Sequence, residues 1–321
     1  MAGFERFSIK PVDKGSNVDG VSVDVHQHLW PEPLWAALAR REAPPRLRRR
    51  GADWWLELAG EPPSVVHPGD HDPAARAALA ERDGAERVLI ALSLPLGIQA
   101  LPEPEARPLL DAFHDGIAEL GDPFELWATP LDAADAARLL ATGARGACLP
   151  ASALAGEAGL RAAAGVLAEL ERHDAPLLVH PGPAPATPGG APAWWPAMTA
   201  YVAEMHAAWH AWAAWGRPAH PRLRVLFAML AGCAPLHAER LAGRGGPASA
   251  LHDELTFFDV SSYGPRMVDA VLRVVGVDRL VHGSDRPVAE PPDLSSFGPA
   301  FVHAVAVANP SRLLSPELVA S

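Results

Sequence analysis

Short apolar or β-branched runs recur along the chain, each followed by a stretch of Ala, Leu, Arg and Glu with helical spacing. The runs predict strands over 21–26 (VSVDVH), 87–94 (RVLIALSL), 124–129 (FELWAT), 144–149 (ARGACL), 176–180 (PLLVH), 223–230 (LRVLFAML), 255–261 (LTFFDVS) and 279–283 (RLVHG). Helices are predicted near 73–84, 104–120, 132–142, 158–173, 196–215, 235–242, 265–276 and 296–307. Strands alternating with helices in this way are the pattern of parallel βαβ units. An open doubly wound sheet suits fewer strands, and no G-x-G-x-x-G follows the first run. The pattern therefore points to an α/β fold, a (β/α)8 TIM barrel. Segment 29–86 breaks the alternation. It holds an Arg-rich run over 40–50, then DWWLELAG and a Pro-rich tail. A barrel would carry it as an insertion after the first strand, on the catalytic face. No other break divides the chain, so a single domain over 1–321 is expected, with the insertion at about 29–86.

Composition narrows the class. Of 321 residues, 49% are hydrophobic and 20% charged, enough apolar material for a sizeable core. The net charge of −11 argues against a nucleic-acid binder, which needs a basic face. Cys148 and Cys233 are too few for a disulfide framework, and a reducing compartment fits. The first residues, MAGFERFSIKPVDKG, contain no apolar leader core, and no apolar stretch reaches membrane-spanning length. A cytoplasmic protein without a membrane partner is expected.

Barrel enzymes place their chemistry at the C-terminal ends of strands. In DVHQHLWP, His26 and His28 are two residues apart, so both side chains leave one face of an extended segment and can reach one metal ion. His180 ends the fifth run in LLVHPGP, and Asp285 follows the eighth in VHGSDRP, where Gly283 is expected to permit a tight turn. Each has an ordinary alternative alone: His180 as a hydrogen-bonded strand-end histidine, Asp285 as a helix N-cap. Together they form an N3O donor set that suits zinc or a similar divalent ion.

The chain resembles the amidohydrolase-related family of metal-dependent TIM-barrel enzymes, the group that contains aminocarboxymuconate semialdehyde decarboxylase, related aromatic-acid decarboxylases and hydrolases. The matching segments are DVHQHLWP, LLVHPGP, HPRLRVLFAMLAG, FFDVSSYG and VHGSDRP, with NPSRLL as a closing element, in order over about residues 21–314. The resemblance implies that His26, His28, His180 and Asp285 bind one divalent metal, zinc or manganese, with Asp285 also catalytic. One departure stands out. Relatives carry a histidine at the end of the sixth strand that handles the proton of the metal-bound water, and Met229 stands there here. A thioether accepts no proton at neutral pH. Asp285 could take over the proton, His237 could fold back, or the chemistry could be lost. The fourth run, ARGACLP, lacks a metal-bridging lysine, which favours a mononuclear site, and Cys148 reads as a small buried hydrophobe.

Softer features surround this set. Trp194 and Trp195 follow the Pro/Gly-rich loop after His180 and could roof a pocket for a flat or apolar substrate, as could Trp54 and Trp55; packing of either pair onto its own loop is the alternative. The arginines of 40–50 form a solvated face or a carboxylate clamp, and Arg286 is a second clamp candidate. Met229 faces the substrate in this reading. His206 and His210 are four apart on a predicted helix, but no H-E-x-x-H accompanies them, and Trp209, Trp212 and Trp215 suggest a packed face. The function expected first is hydrolysis of a small ester, lactone or amide by metal-activated water. The alternatives are non-oxidative decarboxylation of a small aromatic or unsaturated acid, and a barrel that binds without turnover. Expected partners are a small-molecule substrate, carboxylate-bearing or aromatic, and a second copy of the chain as a homodimer.

Overall fold

The computed structural model describes residues 20–314. Eight parallel strands form one sheet in the order β1 (Val23–His28), β5 (Arg87–Ala91), β6 (Phe124–Ala128), β7 (Gly146–Pro150), β8 (Leu177–His180), β9 (Val225–Phe227), β10 (Thr256–Asp259) and β11 (Leu280–Val281). The last strand closes on the first: Val25 N–H donates to His282 O (3.0 Å), Asp285 N–H to His26 O (2.9 Å) and His28 N–H to Arg286 O (2.7 Å). All eight expected strands are present, and the sheet is a (β/α)8 barrel. Every residue of β1, β7, β8 and β10 is buried, because helices cover the outside and side chains fill the interior. Trp127 is part of that filling: it is fully buried and its Nε1 donates to Val25 O at 2.8 Å.

The helices fall where the spacing predicts, among them Pro73–Asp83, Glu103–Ala118, Ala133–Ala141, Glu157–Arg172 and Pro265–Val275. Two depart. The helix expected over 196–215 is a short Trp195–Met198 turn, then Ala200–Ala211, then a π-helical turn at Trp212–Gly216. The strand expected to run to 230 ends at Phe227, because Met229 (φ 43°), Leu230 (φ 51°), Ala231 (φ 54°), Gly232 (φ 61°) and Cys233 (φ 63°) wind left-handed. Each non-glycine residue in that conformation costs about 1–2 kcal/mol, so this turn is held by its surroundings.

The insertion after β1 carries regular structure the sequence did not suggest. Helix Glu32–Arg40 leads into an antiparallel sheet of β2 (Arg46–Arg50), β3 (Asp53–Glu57) and β4 (Ser64–Val66). Its outer face is a lattice of charge rather than an apolar stripe, with Arg46 and Arg50 both on Glu57. Only Leu47 and Leu56, paired across β2 and β3, turn inward to full burial. Among the described residues no helix is long and apolar enough to cross a membrane. The segment scanned for a leader lies outside the described residues.

Candidate metal centre

His26 and His28 both turn from the end of β1 into the centre, while a register shift between Asp24 and Gln27 sets Asp24 on the face of Gln27. Asp24 fixes the strand below the histidines: its carboxylate accepts from His26 N–H (3.2 Å), Ser284 N–H (3.0 Å) and Gln27 Nε2 (2.7 Å). His180 arrives from the end of β8, and Asp285 from the loop after β11, where it adopts φ 60°. Gly283 serves this site through space rather than through a turn. Its φ is not left-handed, but a Cβ would meet the His26 Cβ at 2.9 Å and the Asp259 Cβ at 3.1 Å.

The four expected residues converge, with one ligand atom of each within 4.8 Å of all the others. His28 Nε2 lies 3.2 Å from both His26 Nε2 and His180 Nε2, and 3.2 Å from Asp285 Oδ1. His26 Nε2 lies 3.7 Å from the same oxygen. Donors about 2.1 Å from one tetrahedral ion stand about 3.4 Å apart, so these edges fit a single ion at their centre. The three rings are mutually near-perpendicular (82–88°) with centroids 4.9 Å apart, an arrangement compatible with three imidazoles around one point.

Hydrogen bonds settle which nitrogen faces inward. His26 Nδ1 donates to Asp259 Oδ2 (2.7 Å), His28 Nδ1 to Ala91 O (2.9 Å) and His180 Nδ1 to Pro181 O (2.9 Å). Each Nδ1 therefore carries its proton outward, and three Nε2 lone pairs plus a carboxylate point at one another. Such a cluster is self-repulsive unless a cation or proton occupies it. The electrostatics say the same. Burial opposes charge on His26, yet the touching Asp259, with Asp285 and Asp24 near, lifts its pKa from 6.5 to about 9. Burial and the neighbouring His26 and His28 hold His180 well below its ordinary value. For Asp285, burial works against ionisation, but the hydrogen bond to His28 and the charges of the three histidines hold it below the usual carboxylate range. Ser262 Oγ donates to its other oxygen at 2.9 Å.

The remaining expected residues fare differently. Met229 stands beside the centre as a half-buried residue whose N–H donates to Asp259 Oδ1 (3.0 Å), with its side chain packed on the core. His237 does not fold back to the centre; it is exposed, with its ring 5.1 Å from that of His206. Arg286 has a buried guanidinium that ion-pairs with Asp83 and Glu290, both at 2.8 Å. Four arginines of the Arg-rich run are likewise engaged within the protein. Arg41 binds Glu105, Arg46 and Arg50 bind Glu57, and Arg48 donates to the carbonyls of Ala39, Leu47 and Arg41. Trp194 and Trp195 lie on the loop after β8, 58% and 38% exposed with rings 5.8 Å apart, so they do not pack their loop onto the barrel. Trp54 does pack, edge-on against Trp35 at 5.7 Å, and Arg50 lies over Trp55 at 5.2 Å. Cys148 is buried, and burial pushes its thiol well up, as a small hydrophobe should be.

Three groups escaped the sequence reading. Asp259 is fully buried and accepts from His26, Met229, Ser261 N–H (2.9 Å) and Ser261 Oγ (2.5 Å), which orients one ligand and the strained turn at once. Arg76, from the helix after the insertion, donates to His28 O (2.9 Å), Asp70 O (3.0 Å) and Arg286 O (3.3 Å) and also to Gln27 Oε1, tying the insertion to β1 and the final loop. Tyr201 donates to Glu61 across the barrel mouth, and Glu204, one helical turn on, accepts from Gly182 N–H at 3.0 Å beside His180. Asp259 sits in FFDVSSYG, where a strand-end carboxylate was the available signal; the others carry none.

The fold and the site together define a (β/α)8 barrel with three histidines and one aspartate gathered at the C-terminal mouth. No protein-family model matches the chain, and no curated protein matches it in sequence. Solved structures do match in fold. The IDCase of Metarhizium anisopliae in apo form aligns with a TM-score of 0.75 at 17% identity, covering 92% of this chain and 97% of that one. The 2,6-dihydroxybenzoate decarboxylase from Rhizobium aligns at 0.62 and 17% identity, covering 92% and 99%. A dihydroxybenzoic acid decarboxylase from Polaromonas, solved with bound manganese and the inhibitor 2-nitroresorcinol, aligns at 0.64 and 15% identity, covering 92% and 97%. The likeness is one of fold: this chain is a barrel of the kind those decarboxylases use.

Proposed function

We propose that the protein is a metal-dependent enzyme of the amidohydrolase type, acting as one unit over the chain, that removes carbon dioxide from a small aromatic or unsaturated carboxylic acid. Bound by His26, His28, His180 and Asp285, a divalent zinc or manganese ion would supply a Lewis acid that holds and polarises the substrate carboxylate or an adjacent oxygen.

The observation that carries decarboxylation over hydrolysis is the proton chemistry at the centre. Hydrolysis needs a base to take a proton from water, and Met229 occupies the position where a base is expected. Asp285, held below the usual carboxylate range, is a poor substitute as a base. Decarboxylation exchanges a C–CO2 bond for C–H and needs no base to deprotonate water: the carboxylate leaves as carbon dioxide and one proton from solvent takes its place on carbon. Asp285, held ionised, would serve that step as a metal ligand rather than as the stored acid. Ser262 fixes its second oxygen while this happens. Trp194 and Trp195, exposed on the loop after β8, would supply ring faces for a flat substrate in this reading. That such structural neighbours as the Rhizobium and Polaromonas enzymes decarboxylate dihydroxybenzoates supports this reading. The intact, convergent donor set speaks against a barrel that has lost its chemistry.

The test is direct. Protein loaded with zinc or manganese is incubated with a panel of hydroxybenzoates and unsaturated acids, and in parallel with esters, lactones and amides. Carbon dioxide release matched mole for mole to loss of an acid is expected. Turnover of an ester, lactone or amide without carbon dioxide release from any acid would replace this reading with hydrolysis.

A further inference from the structure

A second group of histidines lies away from the barrel centre. His206 and His210 sit one turn apart on the Ala200–Ala211 helix with ring centroids 4.5 Å apart. His237, at the end of the turn that begins at Met229, brings its ring to 5.1 Å from that of His206. His206 is thus flanked by two further imidazoles. Its neighbours differ from those of an ordinary surface histidine. Among the described residues no carboxylate pairs with any of the three rings, although the chain carries a net charge of −11. Like charges this close repel, which for His206 favours the neutral ring with a free lone pair. Burial, then His210 and His237, lower its pKa.

The tautomers favour a ligand as well. His210 Nδ1 donates to the His206 carbonyl at 2.7 Å, which leaves His210 Nε2 as a lone-pair donor directed off the helix. Two histidines at i and i+4 on one helical face are a bidentate arrangement for zinc. The third comes from a segment pressed onto the same helix: a Cβ at Gly232 would meet Val202 O at 2.7 Å. Only the barrel centre has all its ligand atoms already within 4.8 Å, so the outer group closes when the exposed His237 ring turns onto the pair.

We propose that His206, His210 and His237 form a second site for one divalent transition-metal ion of the zinc class, completed by water. Three neutral imidazoles with an open position suit such an ion and suit calcium or magnesium poorly. An ion there would clamp the left-handed turn to the helix at one end, while Met229, at the other end of the same turn, is held by the carboxylate that orients His26. The outer site would then stiffen the segment beside the reaction centre without touching it.

Cobalt(II) is the probe, since its visible spectrum reports coordination. Wild type, His206→Ala/His210→Ala, His237→Gln and His26→Ala are dialysed against cobalt(II) at mildly alkaline pH, and bound metal is counted with thermal melts as a control of folding. Two ions per chain are expected in wild type, with the second bound more weakly. The double variant should keep one and lose the spectral band of the weaker site, His237→Gln should weaken that site by roughly tenfold, and His26→Ala should retain it while the barrel ion is weakened. Saturation of wild type at one ion, or a double variant that still binds two, would overturn the proposal.

Discussion

Replacing Asp259 by Asn keeps the shape of the side chain and changes only what it can accept. In the wild type one oxygen takes the His26 Nδ1 proton at 2.7 Å, while the other takes the N–H groups of Met229 (3.0 Å) and Ser261 (2.9 Å) and the Ser261 hydroxyl. Asn has only one acceptor. If its NH2 faces the backbone side, two buried N–H donors lose their partner at about 1–3 kcal/mol each. If its NH2 faces His26, the conflict is relieved by moving the imidazole proton from Nδ1 to Nε2, which costs a histidine little. The second outcome wins, and it removes one of four ligands from the centre. Loss of such an orienting partner weakens metal binding about 10–100-fold, or about 1.4–2.7 kcal/mol. Competition with a chromophoric chelator measures this without reference to catalysis. Ser261→Ala, which removes a donor from the far oxygen and leaves His26 alone, should change affinity little. An Asn variant that binds zinc within about twofold of wild type would refute the view that Asp259 sets the His26 tautomer.

Metal uptake must displace the proton that His26 holds up to about pH 9. Apparent affinity should therefore climb about tenfold per pH unit towards 9 and level off above it, and a flat profile would contradict the assignment. In chelator-treated protein the same raised pKa, about 9 against 6.5 unfolded, gives a stabilisation of roughly 3 kcal/mol. That contribution is present in full below 6.5 and lost as pH rises through about 9, and urea denaturation on either side of this window reads it. Arg76→Ala strips partners from buried oxygens on β1 and the final loop, so urea denaturation should show a loss of about 2–4 kcal/mol, with Arg76→Lys falling between. Met229→His adds the base that hydrolysis lacks; esterase or lactonase turnover should rise with no matching rise in carbon dioxide release, and a parallel rise in both would count against the view that a missing base is what bars hydrolysis.

Much of the barrel was legible because its strands are short apolar runs buried on both faces, whereas its helices bury one face and show helical spacing. His26, His28, His180 and Asp285 were legible for a related reason: strand ends are where a barrel exposes functional groups, and a period of two puts His26 and His28 on one face. The insertion sheet was not legible. Its strands are held by cross-strand pairs such as Arg46 with Glu57, and a run of arginines carries no alternation to mark a strand. Gly283 suggested a turn from its residue type, whereas its value lies in the room it leaves between His26 and Asp259.

The sequence by itself determined the order of the elements and the identity of the four convergent residues, since both depend on local spacing. It could not determine the fate of the charges. Arg286 shows no partner in the sequence and ion-pairs with Asp83, about two hundred positions earlier in the chain. Asp259 looked like one strand-end carboxylate among several and orients both His26 and the Met229 turn. Which carboxylate meets which cation, and which nitrogen of a histidine keeps its proton, are decided by contacts between residues far apart in the chain. Hydrogen bonds act over about 3 Å, and only the closed barrel brings those groups that near.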